Sequence, residues 1–346
     1  MLISLKKQII WSLILFVMVF FSANVVFNLG STFVSKTFVS KTAMVLSSEN
    51  QINSEIITEP NIKLAFVGDI MLDRGVRYMV NKNFAGDYSQ LFSNVKKQLQ
   101  SYDLLFGNLE GPVSDKGSDF GSLYSFRMDP QVIPVLKDTG FDIFSVTNNH
   151  SFNWGRLAFE DTLARLSDAG IIYVGGGMTG SEAYQEKIMV IKGVKVAFLA
   201  FSEFKDGGVS SNSTNSGIAT ISEKAIQEGV YNAKMKADLV VVSYHFGEEY
   251  QTMPNQFQRD YAKLAIDSGA DLVIGHHPHV VETLEQYKNA YIIYSLGNFV
   301  FDQYFSLETM WGGLLEVEAN PNTKLIEKVT LKKVSLNKMY QIESIE

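Results

Sequence analysis

Leu272-Val273-Ile274-Gly275-His276-His277-Pro278-His279 joins a short apolar run to three of the chain's five histidines. A run of this length, rich in aliphatic and β-branched residues, is typical of a buried strand. His277 and His279 are two residues apart. On an extended segment they face the same way and can bind one metal ion or two adjacent ions. The ring of His276 is expected to point away from these two.

The same arrangement, an apolar run followed by a polar motif, recurs along the chain. The two remaining histidines lie in such motifs, together with two carboxylates. Histidines placed for packing or surface polarity would not concentrate in this way. The motifs are Gly68-Asp69 after Ile62–Val67, Gly107-Asn108-Leu109-Glu110 after Leu104–Phe106, Asn148-Asn149-His150 after Ile143–Val146, His245-Phe246-Gly247 after Leu239–Ser243, and Ser295-Leu296-Gly297-Asn298 after Tyr291–Tyr294.

Amphipathic stretches, most of them stopped by a glycine, lie between the apolar runs. Glycine commonly follows a helix because it enters the left-handed region without a steric cost. Alternating helices and strands predict an α/β fold with sheets covered by helices, and the last part of the chain predicts a β-hairpin. The predicted helices are 91–100, 130–139, 155–169 and 254–268, and the hairpin strands are 313–317 and 324–334.

The polar motifs are predicted to meet at one site, because ligands of open α/β sheets bind beyond the carboxyl ends of the strands. Imidazole, carboxylate and amide groups suit Mn, Fe or Zn better than Mg or Ca. The predicted cofactor is therefore a divalent transition metal, as one or two ions. The candidate ligands are Asp69, Asn108, Glu110, Asn149, His245, His277 and His279.

Two further residues are candidates for the chemistry itself. His150 is predicted to protonate the leaving oxygen, and Arg74 to bind a substrate anion. Plainer interpretations stay open: Arg74 can cap a local helix, His245 can be a hydrogen-bonded core histidine, Asp69 can belong to a turn, and Glu110 can be solvated. Glu249, His276, Asn298 and Asp302 are predicted to line the pocket, although the segment after Tyr294 fits a turn equally well.

Composition excludes several classes of protein. The formal net charge is −7 and the isoelectric point about 5.4, so nothing indicates a nucleic-acid or anionic-lipid surface built from clustered Lys and Arg. The chain has no cysteine, which excludes disulfides, thiolate metal ligands and a catalytic thiol.

The N-terminus predicts export. Lys6 and Lys7 precede an apolar run that starts at Ile9 and continues, with two polar breaks, to Phe27. This is roughly long enough to cross a bilayer. We favour an uncleaved anchor over a signal peptide, because no small-residue cleavage pattern is well matched. The predicted organisation is a signal anchor or signal peptide at 1–29, a flexible linker at 30–60 and one domain at 61–346.

The order of these motifs resembles the calcineurin-like metallophosphoesterases, and more closely the CapA-type proteins of poly-γ-glutamate capsule synthesis. The resemblance covers about residues 62 to 303 and includes the anchor ahead of the domain. It rests on Val67-Gly68-Asp69-Ile70-Met71-Leu72, Gly107-Asn108-Leu109-Glu110-Gly111-Pro112, Thr147-Asn148-Asn149-His150, His245-Phe246-Gly247-Glu248-Glu249-Tyr250, Gly275-His276-His277-Pro278-His279 and Ser295-Leu296-Gly297-Asn298-Phe299.

The resemblance implies a four-layer α/β/β/α sandwich of the metallophosphoesterase type with a dinuclear metal site. It further implies that Asp69 and His279 bind the first metal, that His150 lies beside the leaving group, and that the second metal is bound by Asn149, His245 and His277. Two positions depart from the wider family. Met71 stands where that family has a histidine ligand, and Asn108 stands where it has a bridging aspartate. Both departures are shared with the CapA-type proteins and reduce the coordination of the first metal.

Three functions remain open from the sequence. The first is a component of poly-γ-glutamate or related capsule biosynthesis in the bacterial cell membrane, single-pass with an extracytoplasmic domain, or secreted if the N-terminus is cleaved. It would carry a metal-dependent hydrolase-like site, act on an anionic polymer and have capsule-synthesis membrane partners. The second is an exported phosphoesterase acting on phosphorylated metabolites or cell-wall polymers. The third is a non-catalytic assembly or export subunit with a degenerate site.

Overall fold

Two β-sheets, packed face to face, organise the residues that the structure describes, 60–209 and 212–346 of a computed structural model. The strands are β1 (Ile62–Ile70), β2 (Leu104–Leu109), β3 (Ile143–Ser145), β4 (Ile172–Val174), β5 (Gly176–Gly177), β6 (Lys187–Ile191), β7 (Val194–Ser202), β8 (Gly217–Ile218), β9 (Leu239–His245), β10 (Leu272–His276), β11 (Leu284–Tyr287), β12 (Ala290–Ile293), β13 (Asn298–Val300), β14 (Trp311–Ala319), β15 (Ile326–Leu336) and β16 (Ile342–Ile345).

Helices connect many of these strands. They are α1 (Arg74–Phe84), α2 (Lys96–Leu99), α3 (Val132–Thr139), α4 (Gly155–Asp168), α5 (Gly180–Ala183), α6 (Glu223–Lys234) and α7 (Gln256–Asp267), with 3-10 turns at Tyr88–Leu91 and Glu308–Met310. Helix α7 begins at a capping box, in which Asn255 and Gln258 satisfy each other's backbone N–H. This arrangement stabilises a helix start because two otherwise unpaired donors are bonded.

Both sheets are mixed. The first has the order β16-β15-β14-β1-β2-β3-β4, with β13 pairing beside the end of β1. The second has the order β11-β12-β10-β9-β7-β6, and β5 pairs with β8 in a separate short ladder. The strands β1 to β4 are parallel to one another, as are β7, β9, β10 and β12. Their carboxyl ends carry the polar motifs.

The core is divided into layers. The space between the sheets is filled by side chains of the strands and by Leu296 of the loop between β12 and β13. Phe106 of β2 stacks there on Phe198 of β7 with ring centroids 5.9 Å apart. Helices α1, α3 and α4 pack on the outer face of the first sheet. Helices α6 and α7 pack on the outer face of the second. Burying each large apolar side chain stabilises the fold by roughly 1.5–3 kcal/mol. The expected mixed α/β fold is confirmed, and its layers follow the order helix, sheet, sheet, helix.

The expected N-terminal membrane segment and linker lie outside the described residues. Within residues 60–209 and 212–346, no helix combines the length and apolarity needed to cross a bilayer.

One predicted helix is wrong in part. The stretch 91–100 forms only the end of a 3-10 turn and the four-residue helix α2. Its apolar residues Leu91, Phe92, Val95 and Leu99 are nevertheless buried in the outer core of the first sheet. Phe92, Val95 and Leu99 are spaced at three and four residues, so the stretch keeps a helical face without a continuous helix.

Glycines allow the two halves of the site to approach each other. A Cβ atom on Gly68 would lie 1.9 Å from the carbonyl oxygen of Gly297, and one on Gly275 would lie 1.8 Å from that of Tyr294. Asp69 donates its backbone N–H to the same Gly297 oxygen at 2.9 Å. Any larger residue at these positions would separate β1 from β13 or β10 from its neighbouring strand β12.

Candidate metal centre

Strand register brings the polar motifs together. Asp69 is the register partner of Asn108 on one side and of Asn298 on the other. In the second sheet His276 is the partner of His245. Because both sheets present the carboxyl ends of their central strands at this edge, side chains from distant parts of the chain meet in one buried cluster.

Asp69 lies at the centre of the cluster and is completely buried. Its Oδ1 accepts a hydrogen bond from Asn108 Nδ2 at 2.8 Å, and its Oδ2 accepts from the backbone N–H of His277 at 3.2 Å. The Nδ1 atoms of His276 and His279 lie 3.4 and 3.2 Å from its oxygens. Burial opposes ionisation, but these contacts outweigh it and hold the pKa of Asp69 well below its usual value.

Glu110 is the second buried carboxylate, and its environment has the opposite effect. Burial, and then the charge of Asp69, raise its pKa well above the usual value. Asn108 Nδ2 lies 3.4 Å from Glu110 Oε2 and so contacts both carboxylates. The other oxygen, Oε1, has no hydrogen-bond partner among the described protein atoms. Asn108 therefore presents an N–H group, rather than an oxygen, to this pair.

His245 and His277 form a second part of the cluster, with ring centroids 4.9 Å apart. His245 Nε2 lies 2.8 Å from Asn149 Oδ1. Burial, and then the neighbouring histidines, lower the pKa of His277 to about 3, and burial lowers the pKa of His245 well below its usual value. Both imidazoles are therefore neutral near pH 7, which is the form that binds a metal ion.

His279 differs from the other histidines. Burial would lower its pKa, but the charges of Glu110 and Asp69 raise it to about 9. Its Nδ1 lies 3.0 Å from Asn298 Oδ1, and its Nε2 lies 3.7 Å from Glu110 Oε1. Without a metal ion, a proton on His279 compensates the two carboxylates.

The segment from His277 to His279 is not extended as expected. Both histidines have positive φ angles, 99° and 59°, in the left-handed region that non-glycine residues rarely occupy. Backbone strain of this kind is concentrated at functional sites. Their rings still converge, with centroids 6.0 Å apart, because the bends around Pro278 replace the alternation of a strand.

His276 is also buried in the cluster, behind Asp69. Its ring stacks on Phe106 with centroids 6.3 Å apart, and neither ring nitrogen makes a well-aligned hydrogen bond with the described protein atoms. It therefore lies against Asp69 from the inter-sheet core, away from the open cavity.

An open cavity of about 340 Å³ adjoins the cluster. His150, His279 and Glu249 line it, together with Arg74 and Asp302. The Arg74 Nε atom lies 3.1 Å from Asp302 Oδ2, and its guanidinium lies over the rings of Tyr124 and Phe126. A partly exposed cation is thus held at the cavity wall, where it can meet a substrate anion.

The residues present fit a divalent metal ion. Asp69, Glu110 and His279 offer ligand atoms that all lie within 4.8 Å of one another, and so do Glu249, His277 and His279. Glu110 Oε1 and His277 Nδ1 are buried without a partner in the described part of the chain. Since buried polar atoms are normally bonded, each of these two atoms fits a cation held by the ligand group to which its residue belongs.

Met71 does not contribute to this set. It is buried in a small apolar cluster with Phe126 and Phe301, and its sulfur accepts the backbone N–H of Asp73 at 3.2 Å. The rings of this cluster pack against His150 and His279. Met71 therefore packs in an apolar cluster beside the site and does not act as a metal ligand.

Two polar residues of the site were missed from the sequence. Asn148 donates to the carbonyl of Leu109 at 2.9 Å and to Asn108 at 3.3 Å, joining two motifs. Asn153 contacts His150 Nδ1 at 2.8 Å. Asn148 lies inside one of the polar motifs, and that position could have identified it. Asn153 carried no signal beyond its position three residues after His150.

The mixed α/β fold has counterparts among solved structures. A hypothetical protein from Thermus thermophilus has a similar fold, with a TM-score of 0.51 and 15% identity over 79% of this chain and 99% of that one. The calcineurin-like phosphoesterase YfkN from Bacillus subtilis aligns with a TM-score of 0.45 and 15% identity over 79% of this chain and 90% of that one. These likenesses concern the fold alone.

The chain belongs to the family described as bacterial capsule synthesis protein PGA_cap, which matches residues 63–303. It is 32% identical over 278 residues to the capsule biosynthesis protein CapA of Bacillus anthracis, covering 78% of this chain and 66% of that protein. It is 33% identical over 245 residues to the PGA biosynthesis protein CapA of Bacillus subtilis (strain 168), covering 70% of this chain and 64% of that protein. The matches thus span slightly less than two thirds of these relatives.

Proposed function

We propose that this protein is a membrane-anchored, exported component of poly-γ-glutamate capsule biosynthesis with a metal-dependent hydrolase-like site. The observation that carries the proposal is the pair of buried carboxylates, Asp69 and Glu110, surrounded by imidazoles in a chain of the PGA_cap family. The two relatives above are named for capsule and PGA biosynthesis. In this proposal the domain lies outside the cell and works with membrane partners of capsule synthesis.

The residues divide the work of the site. Asp69, Glu110 and His279 would hold one ion, and Glu249, His277 and His279 offer a second ligand group. A bound Mn, Fe or Zn ion supplies Lewis-acid activation of water and of the scissile bond. Asn149 Oδ1 contacts His245 Nε2 at 2.8 Å and so fixes the His245 ring beside His277.

Arg74 and His150 serve the substrate. Arg74 at the cavity wall binds a carboxylate or phosphate of an anionic polymer, because a guanidinium pairs with either. Asp302 orients it through the 3.1 Å contact to Nε. His150 lines the same cavity, with its Nε2 3.8 Å from Glu110 Oε1, and moves the proton of the reaction.

Phosphoester hydrolysis is the second candidate, favoured by the resemblance of the fold to calcineurin-like phosphoesterases. Met71 and Asn108 argue against it, because each removes a ligand that the wider family uses for its first metal. A γ-glutamyl amide and a phosphoester are both attacked by an activated water, so the assay must include both bonds.

The proposal is tested in a bacterium whose capsule depends on this chain. The gene is replaced by versions encoding Asp69→Ala, His277→Ala or, as a matched control, Asp267→Ala, which removes an exposed carboxylate that pairs with Lys288. We expect the first two variants to reach the membrane in normal amounts while surface poly-γ-glutamate is lost, and the control to be unchanged.

Normal polymer in the Asp69→Ala and His277→Ala strains would overturn the hydrolase-like role and leave a non-catalytic assembly subunit. Purified full-length protein is then offered poly-γ-glutamate and p-nitrophenyl phosphate with Mn²⁺. Release of free glutamate-containing fragments supports the amide reaction, and turnover of the phosphoester alone supports the second candidate.

A further inference from the structure

Asn153 holds the ring of His150 through one oxygen atom. Asn153 Oδ1 accepts the backbone N–H of Phe126 at 3.0 Å and lies 2.8 Å from His150 Nδ1. A backbone N–H can only donate, so the atom of the Asn153 amide that faces it is oxygen and not nitrogen. The other amide atom, Nδ2, lies 3.4 Å from the Ser122 hydroxyl.

This orientation determines the tautomer of His150. An oxygen acceptor 2.8 Å away requires Nδ1 to carry the hydrogen. In a neutral imidazole, Nε2 then carries the lone pair. That lone pair faces Glu110 Oε1 across 3.8 Å, a gap longer than a direct hydrogen bond. Two acceptors therefore face each other with room for a hydrogen-bearing or positively charged group between them.

An asparagine amide fixes the ring of His279 in the same way. Asn298 Nδ2 donates to the carbonyl of Thr309 at 3.0 Å, so Asn298 Oδ1 is the atom 3.0 Å from His279 Nδ1. When a bound cation displaces the extra proton of His279, its Nε2, 3.7 Å from Glu110 Oε1, is the atom that presents a lone pair. His279 belongs to both ligand groups of the described chain, whereas His150 belongs to neither. The lone pair of His150 is left for the reacting atoms.

We propose that Asn153 is the positioning residue that keeps His150 as the Nδ1–H tautomer, so that His150 Nε2 accepts a proton before it donates one. A water gives this proton to Nε2, and its oxygen forms the new bond to the substrate while the bond to the leaving group breaks. The leaving group then takes the proton back from Nε2. The inference deepens the proposed function and rests on it for the reaction. The tautomer itself does not depend on any activity.

The test is an NMR measurement on the full-length protein, labelled with ¹⁵N only in histidine and freed of metal by a chelator. The chain has five histidines, so five imidazole patterns are expected, and the pattern missing from His150→Gln identifies His150. Two-bond ¹H–¹⁵N correlations distinguish the Nδ1–H from the Nε2–H tautomer. We expect the Nδ1–H pattern for His150.

Two variants and a control complete the test. Asn153→Ala removes the acceptor and should switch His150 to the Nε2–H tautomer, which a free histidine side chain prefers. Asn153→Asp keeps an oxygen acceptor and should restore the Nδ1–H pattern. Ser122→Ala removes only the weaker 3.4 Å contact to Nδ2 and should change nothing. An Nε2–H pattern in the unaltered protein, or an Nδ1–H pattern that survives Asn153→Ala, would overturn the inference. Neither result would affect the proposed function, which the capsule experiment tests separately.

Discussion

Asn108 contacts both buried carboxylates through its Nδ2, which lies 2.8 Å from Asp69 Oδ1 and 3.4 Å from Glu110 Oε2. A donated hydrogen bond to a buried carboxylate compensates part of the free energy lost when the charge leaves water. The amide thus stabilises the pair without a metal ion, and it adds no negative charge for an ion to bind. Asn108 therefore raises the stability of the metal-free protein and lowers the affinity of the site for a metal ion, compared with a carboxylate at this position.

Asn108→Asp should reverse this balance. In chelator, the variant should be less stable than the unaltered protein by about 1–3 kcal/mol, since a donor is replaced by a third negative charge. In Mn²⁺ it should gain more stability than the unaltered protein, because binding to the folded state alone raises the free energy of unfolding. Thermal unfolding with chelator and with Mn²⁺ measures both effects.

Asn108→Ala is the matched variant, since it removes the donor without adding a charge. It should be destabilised in chelator and gain no extra response to Mn²⁺. If Asn108→Asp and Asn108→Ala respond alike to Mn²⁺, the carboxylates do not face a metal ion.

At the scale of elements, Glu282 connects the loop after His279 to helix α7. It is 4% exposed, and its Oε2 accepts a hydrogen bond from Gln258 Nε2 at 2.7 Å. Burial raises the pKa of Glu282 to about 7 from a usual 4.5. The folded protein therefore keeps this proton at pH values where the unfolded chain has lost it, so stability decreases as pH rises between these two values and no further above them.

Glu282→Gln should remove this pH dependence. Relative to that variant, the unaltered protein should lose on the order of 2–3 kcal/mol of unfolding free energy between pH 4.5 and 7. Denaturant unfolding of both proteins across pH 4.5 to 8 measures the difference. Parallel curves for the two proteins would show that Glu282 does not titrate in this range.

Strand β10 depends on Gly275, because a Cβ there would lie 1.8 Å from the backbone oxygen of Tyr294. Gly275→Ala should destabilise the fold by about 3 kcal/mol or more, since backbone rather than a side chain must shift. Gly229→Ala is the control. Gly229 lies in helix α6, where an added Cβ meets side-chain atoms at 3.6 Å or more. Replacing glycine by alanine in a helix should stabilise by roughly 0.5–1 kcal/mol. Equal effects of the two substitutions in chemical denaturation would contradict the close strand approach.

The sequence predicted those elements whose apolar pattern is continuous. Strands β1, β9 and β10 and helices α4 and α7 lie within a few residues of their expected bounds. The hairpin β6–β7 and helices α1 and α6 were not predicted, because none of them is followed by one of the polar motifs that marked the other elements. The bends at His277 and His279 could not be predicted either, since positive φ at a histidine is imposed by packing from elsewhere in the fold.

Within the site, the sequence predicted the kinds of ligand but not which residues contact each other. The sequence analysis named Asp69, His279, His245 and Asn149 as candidate ligands. In the structure Asp69 contacts His279, and His245 contacts Asn149. Their pairing depends on strand register across two sheets, which no local pattern contains. The role of Asn153 could not be predicted, because a single asparagine just before a helix is common in turns without any function at a site.

At the scale of the whole molecule, the domain at 61–346 is expected to be held at the membrane by residues 1–29. The full-length protein should remain with membranes after an alkaline wash, and a form lacking 1–29 should be released. Immunoblotting of membrane, soluble and medium fractions measures this. A product of the full-length gene that is recovered from the medium without its first residues would instead indicate a cleaved signal peptide.

We infer that the cluster around Asp69 binds a transition metal. The most direct measurement is the metal content of the purified full-length protein, compared with Asp69→Ala, His277→Ala and the surface control Asp267→Ala. We predict near-stoichiometric Mn, Fe or Zn in the unaltered protein and the control, and its loss in the other two. A well-folded, metal-free protein that takes up none of these ions when they are supplied would contradict the claim and leave an assembly role.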